Sequence, residues 1–290
     1  MLSLRQIRRR IKSVENTKKM TRAMEMVAAS KLKKLQDLLR QSDRYIAELK
    51  RILETLVREK SLAHPLLEKR PEIKTTLAFL IASDTGLCGS YNTNILEQTN
   101  QFLKTADASK WTVHFVTIGR YGAAYLKRIK QTLVKELAVP RPNEIDEMIA
   151  QLTQIATDEF INRKADEIAF IYTKVQSLAS LKPSLVRLFP IASSEKETEN
   201  QVAVDYLLEP SLEQVIELIL PEFIEAEIGQ FVKHALVAEQ ASRMMAMRQA
   251  TDSAKDMIDS LTLMRNKARQ ASITKELLEV VSGSRALQMK

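Results

Sequence analysis

The segment SDTGLCGSYN (83–92) places a thiol, three aliphatic hydroxyls, a carboxylate and two glycines within ten residues. It follows an apolar run of strand character and precedes a helical stretch, the position in which open α/β sheets often hold phosphate on backbone N–H groups. Gly86 and Gly89 are spaced GxxG, and neither GxGxxG nor GxxxxGK[ST] occurs anywhere. The two readings are therefore a tight structural turn, which the spacing favours, and a nucleotide site. Cys88 would be reactive only as a thiolate at the start of the following helix, and a small buried turn residue is the simpler reading. The three histidines fall in unrelated contexts: His64 before Pro65 in a loop, His114 in a strand, His234 in a charged helix. No acid, base and nucleophile are spaced to converge on one cleft, and one cysteine with scattered histidines makes no zinc set. The expectation is no catalytic residue, no cofactor and no metal.

What must position these groups is a helical framework. Of 290 residues only 6 are Gly, against one Trp, six Tyr and eight Phe, which disfavours an all-β or glycine-repeat protein. No apolar run approaches the roughly 18 to 20 residues of a spanning helix. A single cysteine precludes an internal disulfide and fits a reducing compartment. The opening MLSLRQIRRR is basic, but no apolar signal core follows and its helical pattern continues unbroken, so it reads as structure and not as a leader.

Residues 1–60 hold 17 Lys+Arg against 7 Asp+Glu, while 61–210 and 211–290 each sum to −1. The basic excess of the whole chain, +8, thus lies in its first segment. Such a segment seeks a polyanion or an acidic protein surface, unless it only solvates a helix face. The same 60 residues contain no Pro or Gly, and positions 4, 7, 11, 14, 18, 21, 25, 28, 32, 35, 39, 42, 46, 49, 53 and 56 alternate spacings of three and four. Twelve of these are apolar, which predicts one heptad-patterned helix of roughly 80 Å. The exceptions are Lys18, Thr21, Glu25 and Ser42, the first three of them near Met20, Met24 and Met26 on several faces.

Residues 211–287 predict a second long helix, with a stripe of Met247, Ala250, Ala254, Met257, Leu261, Met264, Ala268 and Ala271 against which a partner helix could pack closely. The two ends would form an antiparallel coiled coil within one molecule. Between them, strand candidates at 75–83, 111–119, 167–175 and 184–192 alternate with helical stretches near 91–104, 120–130 and 144–163, as in a parallel α/β sheet. Segments 61–74, 134–143 and 193–201 read as connections. The predicted fold is a long antiparallel coiled coil of terminal helices with an inserted Rossmann-like α/β domain. Its predicted divisions are 1–60, 61–210 and 211–290. On physics alone a structural or interaction shaft ranks first, a basic coiled coil binding nucleic acid second and an enzyme third. The second is weakened because the first aromatic is Tyr45, which leaves no stacking residue on the basic helix.

IRRRIKSVENTKKMTRAMEMVAASKLKK (7–34) and RMMAMRQATDSAKDMIDSLTLMRNKARQASITKELLEVVSGSRAL (243–287) closely resemble the two terminal signatures of the gamma subunit of the rotary F-type ATP synthase. SDTGLCGSYN is similar to that family's SD-x-GLCG-x-x-N turn, and DYLLEP (205–210) to a segment before its C-terminal helix. The resemblance spans essentially the whole chain. It implies a rotating central shaft inside a hexamer of alpha and beta subunits, with the α/β insert as a foot against the epsilon subunit and the ring of membrane c subunits. ATP chemistry would then lie in beta and none in this chain. Carried over by position, the resemblance implies that Arg269 and Gln270 bond a loop of beta and that Arg243 is a neighbouring basic contact. Met24 would face an acidic element of beta, Thr274 and Glu276 would matter for coupling, and Tyr206 and Glu209 would lie in the foot. Thr85 and Ser90 depart from the family's usual Arg and Gly, and no redox cysteine pair of the chloroplast type is present. The expected location is the cytoplasmic face of a bacterial plasma membrane, as a peripheral subunit.

Overall fold

A computed structural model describes residues 3–59, 64–68, 70–178, 180–191 and 211–288. In chain order these form α1 (Leu4–Glu59), β1 (Thr75–Ile81), α2 (Tyr91–Ser109), β2 (Thr112–Ile118), α3 (Arg120–Arg128), β3 (Thr132–Leu137), a short 3-10 turn (Pro142–Glu144), α4 (Ile145–Ile161), β4 (Glu167–Ser177), β5 (Ser180–Phe189) and α5 (Leu212–Gln288). Two long terminal helices bracket an α/β sheet, as predicted. By compactness the chain divides into one unit made of residues up to Ala28 and from Arg243 onward, and a second of Ala29–Ser242. Both long helices contribute to each.

In the second unit the strand order is β3-β2-β1-β4-β5. The first three pairings are parallel, and β4 with β5 is antiparallel, so the sheet is mixed and not wholly parallel. The segment 134–143, expected to be a loop because of Pro140 and Pro142, begins as β3. Its alternation is masked because the pairing with β2 shifts register at Val134, and Val134, Lys135 and Glu136 are all exposed on this edge strand. Pro183 sits within β5, where an edge position tolerates a missing N–H. Strands β1 and β4 are buried on both faces, which accounts for their near-continuous apolar sequences. Phe79 and Phe170 stack across them at 4.4 Å, and Phe170 also meets Phe231 of α5 at 5.0 Å.

Every α1 position of the three-and-four pattern from Ala28 to Leu56 is buried or half-buried. Along α5, Ile216, Leu220, Ile224, Ile228 and Phe231 are buried in turn. Polar bonds flank the apolar contact: Gln230 donates to Asp43 at 2.7 Å and Tyr45 to Glu222 at 3.4 Å. The 83–92 segment is a self-satisfied turn. Buried Asn92 accepts the Ser83 N–H at 3.2 Å, and its amide lies 2.7 Å from Ser83 Oγ and 3.3 Å from Cys88 Sγ. Ser242 Oγ donates to the Cys88 carbonyl at 2.6 Å, tying α5 to the turn. Cys88 is buried, so the thiol is packing and the structural reading of the turn holds. Gly119, at φ 98°, follows β2 where a Cβ would stand 2.5 Å from the Ala82 carbonyl oxygen, so only glycine fits.

His234 lies where α5 meets β4, with Nδ1 accepting the Val175 N–H at 3.4 Å. Burial holds its pKa below the ordinary 6.5, against the pull of Asp43 and with the push of Lys174. The folded state therefore prefers the neutral ring. Its stabilisation is present above the unfolded pKa and is lost as pH falls through the folded value. Wild type should lose more stability than His234→Gln on acidification from about pH 7.5 to about pH 5, by on the order of 1 kcal/mol. Paired denaturant melts at the two pH values measure this directly, and parallel losses would contradict it.

Candidate partner-binding surface

The first unit is an antiparallel pair built from the beginning of α1 and the later part of α5. Ile7 and Ile11 cluster with Leu261, and Val14 and Ala268 pack against them. Further along, the hydroxyls of Thr21 and Thr251 meet at 2.8 Å, with Thr251 Oγ1 also 2.8 Å from the Met247 carbonyl and Thr21 Oγ1 3.1 Å from that of Lys18. The α1 face matches the predicted heptad positions, including Thr21 at 9% exposure and half-buried Lys18 and Glu25. The α5 face matches in part: Met247, Ala254 and Leu261 of the expected stripe are buried and Ala250 and Ala268 half-buried, whereas Met257, Met264 and Ala271 are exposed. Buried Thr251 and half-buried Ile258 complete the packed face. The two methionines fall outside the packed face because apolar residues occupy neighbouring positions there, Met257 beside Ile258 and Leu263 beside Met264, so apolarity alone could not set the phase.

The Thr21–Thr251 contact replaces an apolar layer with a hydrogen-bonded one. Thr251→Val should cost about 0.5–1.5 kcal/mol, and the double change to Val at both positions should recover most of it, since replacing both partners by isosteric apolar groups is nearly neutral. A double-mutant cycle by thermal unfolding of the full chain reads the coupling, and strict additivity would deny it.

This unit holds 17 Lys+Arg against 7 Asp+Glu, leaving −2 for the other. Beside the threonine layer, a groove of about 670 Å³ is lined by Lys18, Lys19 and Arg22, with Glu15 as its carboxylate. Arg22 is bonded to Glu25 at 2.9 Å on an exposed face. Exposed Met20, Met24 and Met26 adjoin these cations, offering adaptable apolar contact.

The sequence-identified residues distribute along this unit without forming one cluster. Met24 is exposed on α1, and Arg243 is half-buried at the near end of α5. Arg269, Gln270, Thr274 and Glu276 are exposed about 39 Å further along, from 26 residues at 1.5 Å each. They share neighbouring turns: Thr274 Oγ1 donates to the Gln270 carbonyl at 3.0 Å and Ser272 to Glu276 at 3.0 Å. Tyr206 and Glu209 lie outside the described residues, as do 193–201 and DYLLEP.

From Arg269 to Ser284 every α5 residue is exposed. Among them Ile273, Leu277, Val280 and Val281 recur at i, i+4, i+7 and i+8 with half or more of their surface open. That spacing is an apolar helix face of the kind that enters a partner. It was legible in the sequence: α1 pairs with α5 only as far as its own first residues, so an apolar stripe continuing beyond that point has no intramolecular cover.

The family model described as ATP synthase matches residues 3–287. An ATP synthase gamma chain from Janthinobacterium sp. is 38% identical over 99% of this chain and 100% of its own length. Another, from Chloroherpeton thalassium, is 37% identical over 99% of each. This chain belongs to the ATP synthase gamma-chain family. Solved structures agree on the fold of the gamma-family chain. One chain in the cryo-EM structure of the Euglena gracilis mitochondrial ATP synthase (OSCP/F1/c-ring) aligns over 98% of this chain and 94% of its own, with a TM-score of 0.64 at 17% identity. One from the Tetrahymena thermophila mitochondrial ATP synthase (central stalk and c-ring) covers 80% and 99%, with a TM-score of 0.57 at 22% identity. The nucleic-acid reading finds no support among these relatives.

Proposed function

We propose that this chain is the central rotor shaft of an F-type ATP synthase, coupling ion-driven rotation of the c ring to conformational cycling of the catalytic beta subunits, and the reverse during ATP hydrolysis. The observation that carries this is the end-to-end match to gamma chains, joined to a unit whose two helices pair antiparallel and present a basic, methionine-bearing surface. Exposed ion pairs contribute only about 0–1 kcal/mol each, so a charged surface of this kind can pass between successive beta sites without locking on one. The bare apolar face from Ile273 to Val281 supplies an end that a ring of alpha and beta subunits would enclose. Arg243, Arg269, Gln270, Met24, Thr274 and Glu276 are the contacts assigned to that ring.

In this reading the segment 61–210 is the foot, between the helix-bearing segments 1–60 and 211–290. It meets the epsilon subunit and the c ring, with Tyr206 and Glu209 among its contacts. Bond making and breaking in ATP belongs to beta, and this chain transmits torque and contributes no reacting group. Among the described residues no helix is long and apolar enough to cross a membrane. As the shaft of such a synthase the chain would be a peripheral subunit, and the reading puts it on the cytoplasmic face of a bacterial plasma membrane.

A tagged form of the chain recovered from gently solubilised native membranes tests the assignment. Mass spectrometry should find one copy for every three alpha and three beta subunits, together with epsilon and c, and ATPase activity in the complex but not in the isolated chain. Recovery with nucleic acid in place of these subunits would overturn it.

A further inference from the structure

A pocket of about 420 Å³ opens in the second unit where the beginning of β4, the end of β5, α1 and α5 converge. Its volume lies in the range of small-ligand sites, roughly 300–1,000 Å³. One wall is apolar, from Ile73, Ile191 and Phe223, and the other is charged. The charges on that wall are unevenly committed.

Two carboxylates are already occupied. Glu167, 2% exposed, pairs with Arg187 Nε at 2.6 Å and accepts the Thr76 hydroxyl at 3.2 Å. Asp166 Oδ2 accepts the Lys74 and Thr75 N–H groups at 2.9 and 3.0 Å. Arg70 is differently placed. Its side chain is only 10% exposed, yet its contacts are long: 3.5 Å to Glu68, itself largely exposed, and 3.4 Å to the Phe160 carbonyl. Its guanidinium lies over the Phe160 ring at 5.1 Å, and its buried Nε has no hydrogen-bond partner. A cation held out of water with so few short bonds is under-compensated. Across the pocket stands Lys50, an exposed cation of α1. The remaining carboxyl, Glu227, is pushed toward its neutral form by burial, although Lys50 and Lys174 oppose this. Of these charges Arg70 is the one least compensated by short bonds, and it stands beside an apolar wall.

We infer that this pocket binds a small organic oxyanion, a phosphate or carboxylate head on an apolar body, with Arg70 and Lys50 receiving the head and Ile73, Ile191 and Phe223 the body. The site is independent of the rotor assignment, since it lies within the sheet-bearing unit and uses none of the residues assigned to the alpha and beta ring.

Calorimetric titration of the full chain with phenyl phosphate, inorganic phosphate and benzyl alcohol separates head from body. Phenyl phosphate should bind saturably and about tenfold or more tighter than either fragment. Lys50→Gln, an exposed change that leaves packing intact, should weaken it by about tenfold, and Arg70→Gln by at least as much. Absence of saturable heat with phenyl phosphate, or equal affinity in wild type, Lys50→Gln and Arg70→Gln, would overturn the site.

Discussion

Reversing Arg243 and Arg269 together to Glu is expected to lower ATP-driven ion pumping about tenfold, equivalent to about 1.4 kcal/mol of lost coupling. The two positions lie about 39 Å apart on one helix, so in the rotor reading each would meet a different part of the ring and their effects should add. Arg269 is exposed and Arg243 half-buried. Converting attraction into like-charge repulsion acts mainly through the reversal itself, so Gln at both positions should have a smaller effect. The defect should shrink as ionic strength rises, since screening weakens repulsion beyond roughly 8–10 Å. Inverted vesicles carrying the variant, assayed in parallel for ATP hydrolysis and ion uptake, separate lost coupling from lost assembly. Wild-type pumping in the double variant would remove these residues from the contact surface.

The largest effect on folding is expected from Phe170→Ala, at about 3–5 kcal/mol of lost stability. Phe170 is fully buried in β4, stacked on Phe79 of β1 at 4.4 Å with nearly parallel planes, and tilted against Phe231 of α5 at 5.0 Å. Truncation would therefore open a cavity between the central strands and release the sheet from the helix it grips. Phe231→Leu, which keeps most of the volume, should cost far less, below about 1.5 kcal/mol. Urea unfolding of the full chain followed by circular dichroism distinguishes them. Equal costs would show that volume at this junction is unimportant. In the rotor reading this aromatic junction is also part of the path by which torque on the sheet-bearing unit reaches α5.

How much of this was legible in the sequence follows from which signals are local. The α1 face could be read residue by residue because its apolar positions contrast with charged neighbours: Ile7, Ile11, Leu32, Leu35 and Leu39 all proved buried. The α5 face could be read only in part: Met247, Ala254 and Leu261 proved buried, but between Met257 and Ile258 only the partner helix chooses. Strands β1, β2 and β4 announced themselves as buried apolar runs, whereas the edge strand β3 carries exposed Lys135 and Glu136 on both faces and reads as loop. The partner-facing residues were identified by resemblance, because an exposed Arg269 or Thr274 has no periodic or catalytic signature of its own. The pocket lined by Arg70 was invisible for a different reason. Lys50, Arg70 and Glu227 are far apart in the chain and meet only through the packing of the long helices on the sheet.

Rotation itself tests the central claim most directly. The chain, with Lys104→Cys on exposed α2 as an attachment point, would be assembled with its cognate alpha and beta subunits, and these fixed to a surface. A bead on that cysteine should turn in one direction on addition of ATP and stop when ATP is removed. A complex that hydrolyses ATP while the attached bead stays still, in preparations where assembly is verified, would contradict the assignment of this chain as the shaft.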